Sequence, residues 1–310
     1  MTRSPLRRLR LVVSPLIADR LAGALAGLLA ALLLTAAAPA SAFPVGHPED
    51  PPEALRLGAA AAHTAADIDF TAIVALSNCS GALVRFTTSH PDDRAMVLTN
   101  GHCVGGFIAA GDAVVGKPST RSFTLLSAGG RFKATLRASE LMYATMTGTD
   151  IALYRLTQTH AELTALYGVT PLTIGVFHPE AGAPIRIVSG FWRRIYGCTI
   201  DRFVYQLRES VWTFTDSIRF TEPGCETIGG TSGSPIIHAT TGLVVGINNT
   251  GNEDGALCTL NNPCEVDEHG ATTAEKGANY GQELHQIYTC LGAENELELD
   301  RAGCRLNKPR

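Results

Sequence analysis

The sequence predicts an all-β fold, and three observations support this prediction. From Asp67 onward the chain consists of short apolar runs separated by turn residues, a pattern typical of β-strands. The clearest runs are FTAIVAL, GALVRF, AMVLT, DIALYRL, IRIVSGFW, FVYQL, SIRF, SPIIH and GLVVGI. No stretch between residues 67 and 270 has the period of a long amphipathic helix, although residues 161–166 allow a short one. An apolar helical face is present only near the end, in YGQELHQIYTCL, and it predicts one C-terminal helix.

The first 42 residues have the composition of a secretory signal peptide. Arginines precede an Ala- and Leu-rich run over residues 21–38, which ends in Ala-Ser-Ala at residues 40–42. This order is typical of exported proteins, so we expect secretion and cleavage after Ala42. The pair Arg7-Arg8 also resembles a twin-arginine signal. A membrane anchor is the alternative, since the apolar run approaches the length of a span, but the Ala-Ser-Ala end favours removal.

The charge of the mature chain argues against nucleic acid as a partner. Removal of the signal takes away five arginines and one aspartate, which leaves about 20 basic and 28 acidic side chains and a net charge of about −8. An acidic surface repels a phosphate backbone. We therefore predict no nucleic-acid partner. We also expect a monomer and no membrane association after signal removal. Residues 43–66, rich in Pro and Ala, are expected to form a propeptide or linker before a domain spanning residues 67–292.

All eight cysteines follow the predicted signal, and an even number in an exported chain indicates four disulfides. They are Cys79, Cys103, Cys198, Cys225, Cys258, Cys264, Cys290 and Cys304. A bridge between Cys79 and Cys103 would join two predicted strands and fix the turn that carries Cys103. For the remaining six cysteines the shortest consistent scheme pairs 198 with 225, 258 with 264 and 290 with 304, although the sequence leaves other connectivities of these six open. In this scheme residues 293–310 form a charged tail tethered by the last disulfide.

Metal ligation is the alternative for some of these cysteines. Cys258 and Cys264 lie near His269, but their spacing matches no zinc motif, and we predict no metal or other cofactor. The acidic stretch around CTLNNPC is expected to be a solvated loop near the pocket. Calcium binding, or restriction of substrate access, is the alternative for this loop.

Three motifs place a histidine, an aspartate and a serine beside strand ends. MVLTNGHC runs from an apolar strand into a turn that carries His102, and TGTDIALYRL puts Asp150 at the start of another strand. A carboxylate there is partly buried and needs a hydrogen-bond donor, which an imidazole N–H provides. GGTSGSP adds Ser232. In this combination Ser232 attacks a carbonyl, His102 accepts and returns the proton, and Asp150 fixes the tautomer of His102. His90, in a polar loop, is the weaker candidate for the base.

The glycines of GGTSGSP have a use in the same chemistry. Gly230 allows the backbone to direct its N–H, together with that of Ser232, at a developing oxyanion. Gly233 leaves the space beside the nucleophile clear. The alternative is a surface turn of small residues, in which Thr231 and Ser234 are equivalent hydroxyls.

LTNGHC, TDIALYRL and GGTSGSP, in the order His, Asp, Ser, resemble the motifs of the chymotrypsin-like serine proteases. The last motif is most similar to the bacterial V8-like, or glutamyl-endopeptidase, branch. The resemblance covers roughly residues 67–292 and implies two six-stranded antiparallel β-barrels with the active site between them. It also implies a secreted bacterial endopeptidase that acts on peptides or proteins. A catalytically incompetent binding protein of the same fold is the alternative. An esterase is disfavoured, because its usual serine elbow precedes a helix and its triad has the reverse order.

Four positions bear on activation and specificity. Thr231 stands where animal trypsins carry the aspartate that pairs with a new N-terminus, so that ion pair cannot form. Thr227 matches a threonine that binds the substrate carboxylate in glutamyl endopeptidases, but Asn248 replaces their histidine. Glu226 falls where trypsin-like enzymes keep the acid of the specificity pocket. Its charge favours Arg or Lys at the cleaved bond. The alternative is that the disulfide at Cys225, the preceding residue, turns the Glu226 side chain outward.

Overall fold

The computed structural model describes residues 68–220 and 225–310. The predicted signal peptide, residues 1–42, and the predicted propeptide or linker, residues 43–66, lie outside these ranges. Within them the chain folds into two mainly antiparallel β-sheets with one α-helix, so the predicted all-β fold class is confirmed. No helix in the described ranges is long and apolar enough to cross a membrane.

The first sheet closes into a barrel. Its strands are β1 (Ile73–Ala75), β2 (Ser80–Arg85), β3 (Arg94–Thr99), β4 (Ala113–Pro118), β5 (Ser122–Leu126), β6 (Phe132–Thr145), β7 (Ile151–Thr159) and β8 (Leu172–Thr173). Six of them pair in the order β1-β5-β6-β7-β3-β2, and β2 pairs back to β1. Closure removes the exposed edges of a sheet. β4 pairs with β6, and β8 runs parallel to β2.

Burial along β6 and β7 explains why these residues form strands. In the first half of β6, Ala134, Leu136 and Ala138 are buried while their neighbours are exposed, the period of two expected for a strand with one face on the core. The IALY stretch of β7, residues 151–154, is buried throughout. These apolar side chains fill the barrel interior, and the residue directly before β7, Asp150, lies at the cleft described below.

The second sheet has nine strands. They are β9 (Pro184–Ser189), β10 (Arg194–Thr199), β11 (Arg202–Glu209), β12 (Trp212–Phe220), β13 (Pro235–His238), β14 (Val244–Gly251), β15 (Cys264–Val266), β16 (Thr272–Thr273) and β17 (Asn279–Glu283). Their order is β10-β9-β13-β14-β17-β12-β11-β15-β16. The sheet exceeds the six strands of the expectation partly because residues 252–278 add the short strands β15 and β16 beside β11.

The helical segments differ from the sequence expectation in one respect. α1 (His160–Tyr167) is the short helix that residues 161–166 allow, and a capping box between Thr159 and Glu162 begins it. The C-terminal helix is a short 3₁₀ helix, His285–Cys290. The residues before this 3₁₀ helix form β17, because their backbone groups pair with both β12 and β14. Pairing on both sides gives hydrogen-bond partners to more backbone N–H and C=O groups than an isolated helical turn does.

Disulfides join the cysteines that the sequence analysis pairs: 79 with 103, 198 with 225, 258 with 264 and 290 with 304. The tail after residue 292 packs against the first barrel. Leu306 is buried, the Tyr143 hydroxyl donates to the Asn307 carbonyl, and the Arg310 N–H donates to Asp112. The tail therefore completes the surface of this barrel.

Candidate active site

One cleft is lined by His102, Asp150 and Ser232 together. The three residues come from the turn after β3, the start of β7 and the turn before β13, and they are far apart in the sequence. His90, the other candidate base, lies exposed in the loop between β2 and β3. The fold thus brings the three predicted residues to one place.

The turn that carries His102 is held from both sides. It is a 3₁₀ turn, Gly101–Val104, and the disulfide from Cys103 ties it to Cys79 beside β2. A Cβ on Gly101 would collide with the carbonyl of Thr145, so the close approach to β6 requires glycine. Behind the turn, the buried Asn100 amide donates to the Asp150 carbonyl at 2.7 Å.

His102 and Asp150 form a close pair that is joined by two hydrogen-bond contacts. The Nδ1 atom of His102 lies 2.7 Å from Oδ2 of Asp150, and the backbone N–H of His102 donates to Oδ1 at 3.1 Å. Asp150 is only 1% exposed, so these contacts satisfy a carboxylate that water cannot reach. Burial alone lowers the pKa of His102, but the Asp150 carboxylate, with a smaller contribution from Glu209, outweighs it, and the pKa of His102 is raised. The arrangement orients the ring and leaves Nε2 as the atom available for proton transfer.

The hydroxyl of Ser232 makes a different contact. Its Oγ donates to the backbone carbonyl of Asn249 at 3.1 Å. In the described part of the chain no hydrogen bond joins Ser232 to His102. The serine therefore lies in the cleft of the pair, but its hydroxyl must rotate away from Asn249 before it can donate to the imidazole.

The turn before Ser232 has the geometry of a type II turn. The Thr231 N–H donates to the Ile228 carbonyl at 2.9 Å, and Gly230, at the third position, has φ of +89°. A side chain at Gly230 would also approach Phe191 to 2.8 Å. Gly233, with φ of +82°, has no room for a Cβ between the Ser80 carbonyl and the Thr99 hydroxyl. Both glycines are required by their surroundings.

Ser80 connects the nucleophile turn to the first barrel and was not singled out by the sequence analysis. Its N–H donates to the Ser232 carbonyl at 2.8 Å, and its hydroxyl donates to the Gly230 carbonyl at 3.1 Å. Ser80 is fully buried and directly follows Cys79, whose disulfide holds the His102 turn. A single stretch of β2 therefore sets the position of both the base and the nucleophile.

The three predicted specificity residues all line the same cleft. Glu226 is exposed. The Thr227 hydroxyl donates to Oδ1 of Asn279 at 2.8 Å, and the sequence analysis did not predict Asn279. Asn248 is 3% exposed, and within the described ranges its Oδ1 accepts no hydrogen bond. Lys276 lies at the same cleft and adds a cation that the motifs do not include.

Glu209 is a further buried carboxylate of the cleft. It ends β11, is 8% exposed, and accepts a hydrogen bond from the backbone of Asn261, in the loop closed by the Cys258–Cys264 disulfide, at 2.7 Å. Burial is the main cause of the raised pKa of Glu209. A carboxylate at a strand end is the same signal that indicates Asp150, so this residue could have been found from the sequence.

A closed six-stranded barrel and a second antiparallel sheet define the chymotrypsin-like class of folds. The family model of the trypsin-like peptidase domain matches residues 79–247, more than half of the chain. The chain belongs to the trypsin-like peptidase domain family, whose members are peptide-bond hydrolases.

Comparisons with individual proteins give distant likenesses. No curated protein is detectably similar to this chain in sequence. Among solved structures, the MamO protease domain from Magnetospirillum magneticum is 15% identical, with a TM-score of 0.43 over 72% of this chain and 96% of that chain. A Glu endopeptidase is 16% identical, with a TM-score of 0.40 over 69% and 85%. Cellulomonas bogoriensis chymotrypsin is 16% identical, with a TM-score of 0.37 over 70% and 91%. At these values the likenesses carry no weight for function.

Proposed function

We propose that this chain is a secreted serine endopeptidase in which Ser232, His102 and Asp150 are the catalytic triad. The observation that carries the proposal is the buried His102–Asp150 pair, with a contact of 2.7 Å, in a cleft that also holds Ser232. Four disulfides favour an oxidising compartment and hence export.

The geometry supports the following reaction. The Ser232 hydroxyl turns from the Asn249 carbonyl toward Nε2 of His102, which takes its proton as Oγ attacks the substrate carbonyl carbon. The imidazolium is stabilised by Asp150 and returns this proton to the amine as the C–N bond breaks. Water then repeats the sequence on the acyl-enzyme and releases the acid. The N–H groups of Gly230 and Ser232 are the donors for the oxyanion, and each such donor is worth about 10²–10³ in turnover.

The cleft favours a substrate with a basic side chain at the cleaved bond, because two of the predicted specificity residues present hydrogen-bond acceptors. Glu226 brings a carboxylate, and the Oδ1 of Asn248 accepts no hydrogen bond within the described ranges. The Thr227 hydroxyl already donates to Asn279, so its hydrogen is not free for a substrate carboxylate. This arrangement departs from the V8-like branch, which prefers glutamate.

Specificity is tested with peptides that differ only in the residue before the cleaved bond: Arg, Lys, Glu or Leu. We expect kcat/KM to be highest for Arg or Lys and to fall about 10- to 100-fold in Glu226→Gln, since a charge-assisted hydrogen bond is worth about 1.5–3 kcal/mol. Lys276→Gln is the matched control, because it removes a cation of the cleft, leaves Glu226 in place and should not lower Arg cleavage. Preferential cleavage after Glu, lost in Lys276→Gln, would contradict the assignment.

Activity itself is tested by a fluorophosphonate probe, which labels only an activated serine. The wild-type protein and Ser234→Ala should be labelled, and Ser232→Ala should not. A catalytically incompetent binding protein is the second candidate, favoured by the contact of the Ser232 hydroxyl with Asn249. Folded, processed wild-type protein that stays unlabelled would support that candidate.

A further inference from the structure

A second cluster of ionisable side chains lies on the second sheet, away from the residues that line the cleft. It consists of His178, in the connection between β8 and β9, Asp216 on β12, and Glu283 at the end of β17. Nε2 of His178 lies 2.9 Å from Oε1 of Glu283 and 3.5 Å from Oδ2 of Asp216. One nitrogen and two carboxylate oxygens therefore converge within 4.8 Å of one another.

Glu283 is the buried member of this cluster. Its side chain is 2% exposed, and neither of its carboxylate oxygens has a hydrogen-bond donor within the described ranges. A buried carboxylate without donors is strongly unfavourable unless a cation compensates it. The site therefore suits a cation at this point.

The orientation of His178 suits a metal ion as the cation beside Glu283. Its Nδ1 lies 2.7 Å from the Pro179 carbonyl, an acceptor, so Nδ1 carries a proton, and in the neutral ring Nε2 presents its lone pair to the two carboxylates. Three lone-pair donors facing one another repel unless a cation lies between them. An imidazole that donates its other N–H to a backbone carbonyl is the usual arrangement of a metal-ligating histidine.

We propose that His178 Nε2, Asp216 Oδ2 and Glu283 Oε1 bind a zinc ion. A mixed set of imidazole and carboxylate ligands suits zinc, whereas calcium and magnesium prefer oxygen alone. His178 and Asp216 are 42% and 39% exposed, so water can reach the ion and fill the fourth position. His285 lies behind the site, with Nδ1 2.6 Å from the other oxygen of Glu283.

The ion would fasten three segments that are distant in the sequence. It joins the chain before β9, the middle of β12 and the end of β17, and the first residue of β17, Asn279, lines the cleft. Because the ligands lie outside the cleft, the role is structural. Binding to the native state alone raises its stability with increasing zinc concentration.

The experiment uses the full protein, stripped with a chelator and then reconstituted with zinc sulfate. Metal content by mass spectrometry and the thermal unfolding midpoint are measured for the wild type, Glu283→Gln and Glu180→Gln. The last is the matched control, since Glu180 also faces an imidazole, that of His238 at 3.8 Å, and is 70% exposed. We expect about one zinc per chain and a rise of several degrees in the wild type and in Glu180→Gln.

Glu283→Gln should bind no zinc and show no rise. Its unfolding midpoint without metal should equal or exceed that of the stripped wild type, because glutamine has the same shape and cannot become a buried anion, and this result would show that the variant folds. Reconstituted wild type without zinc, or zinc retained by Glu283→Gln, would overturn the proposal. These readouts do not depend on peptidase activity, so they stand or fall separately from the proposed function.

Discussion

Replacement of Asp150 by asparagine separates the orienting role of this residue from its role in packing. Oδ1 of Asp150 accepts the backbone N–H of His102, and Oδ2 faces Nδ1 of the same ring. Asparagine has one carbonyl oxygen for these two positions. If the oxygen stays with the backbone N–H, the new amide donates to Nδ1 and forces the ring proton onto Nε2. The reverse orientation leaves two buried donors facing each other, at a cost of about 1–3 kcal/mol.

The favoured orientation therefore holds His102 in the tautomer that cannot accept the Ser232 proton. We expect kcat to fall about 10⁴-fold, which corresponds to about 5.4 kcal/mol at 1.36 kcal/mol for each factor of ten. The assay is single-turnover cleavage of a fluorogenic peptide at pH 7, with circular dichroism to verify the fold.

Asp112→Asn is the matched control for this substitution. Asp112 also accepts backbone N–H groups, those of Ala113 and Arg310, but it lies outside the cleft, so activity should change less than twofold. A folded Asp150→Asn variant that keeps more than a tenth of the wild-type kcat would refute this account of the His102–Asp150 pair.

Three further predictions follow from the same geometry. The Asp150 carboxylate outweighs burial and raises the pKa of His102 above its ordinary value of 6.5. Because the base must be neutral to accept a proton, kcat/KM should increase with pH to a plateau, with a midpoint above 6.5. A lower midpoint in a rate profile over about pH 5–9 would be inconsistent with this pair. Gly233→Ala should lower the unfolding midpoint by several degrees and abolish probe labelling. A side chain at φ of +82° costs about 1–2 kcal/mol, in addition to its collision with the Ser80 carbonyl. Gly229→Ala is the control and should have little effect on stability, because nothing lies within 4 Å of the new methyl group. Ser80→Ala should lower kcat more than it changes KM, because Ser80 positions the nucleophile turn without touching substrate; equal loss in both parameters would indicate a different role.

Local patterns were sufficient to predict the strands around the cleft and the residues within it. Each of the motifs with His102, Asp150 and Ser232 ends or begins a strand with a strong apolar signal, and these strands form in the structure at β3, β7 and β13. The order of these motifs also led to the correct fold class. A local motif does not predict a contact between its side chain and the backbone of a residue distant in the sequence. The bond from Ser232 to Asn249 is of this kind.

Elements with weak local signals were not predicted. The early part of β6 alternates small and charged residues, KATLRAS at residues 133–139, so its period of two has little hydrophobic contrast. Tyr280 in β17 begins an apolar pattern at helical spacing that continues after the strand, at Leu284 and Ile287. Pairing with the two neighbouring strands is what makes residues 279–283 a strand. The ligands of the proposed zinc site come from three separate segments, at residues 178, 216 and 283, and each alone is an ordinary polar residue of a strand or loop.

Thr231 explains how the nucleophile turn keeps its form without the ion pair of animal trypsins. Thr231 is fully buried, and the turn is bonded in both directions: its N–H donates to the Ile228 carbonyl, and its hydroxyl accepts the Ile228 N–H at 3.3 Å. The Thr231 carbonyl in turn accepts both the N–H and the hydroxyl of Ser234, the latter at 2.6 Å. An aspartate at this buried position would need an external cation to offset its desolvation, whereas a threonine is satisfied by neighbours within the motif. The geometry of the Gly230 turn therefore does not depend on a charged N-terminus released elsewhere in the chain.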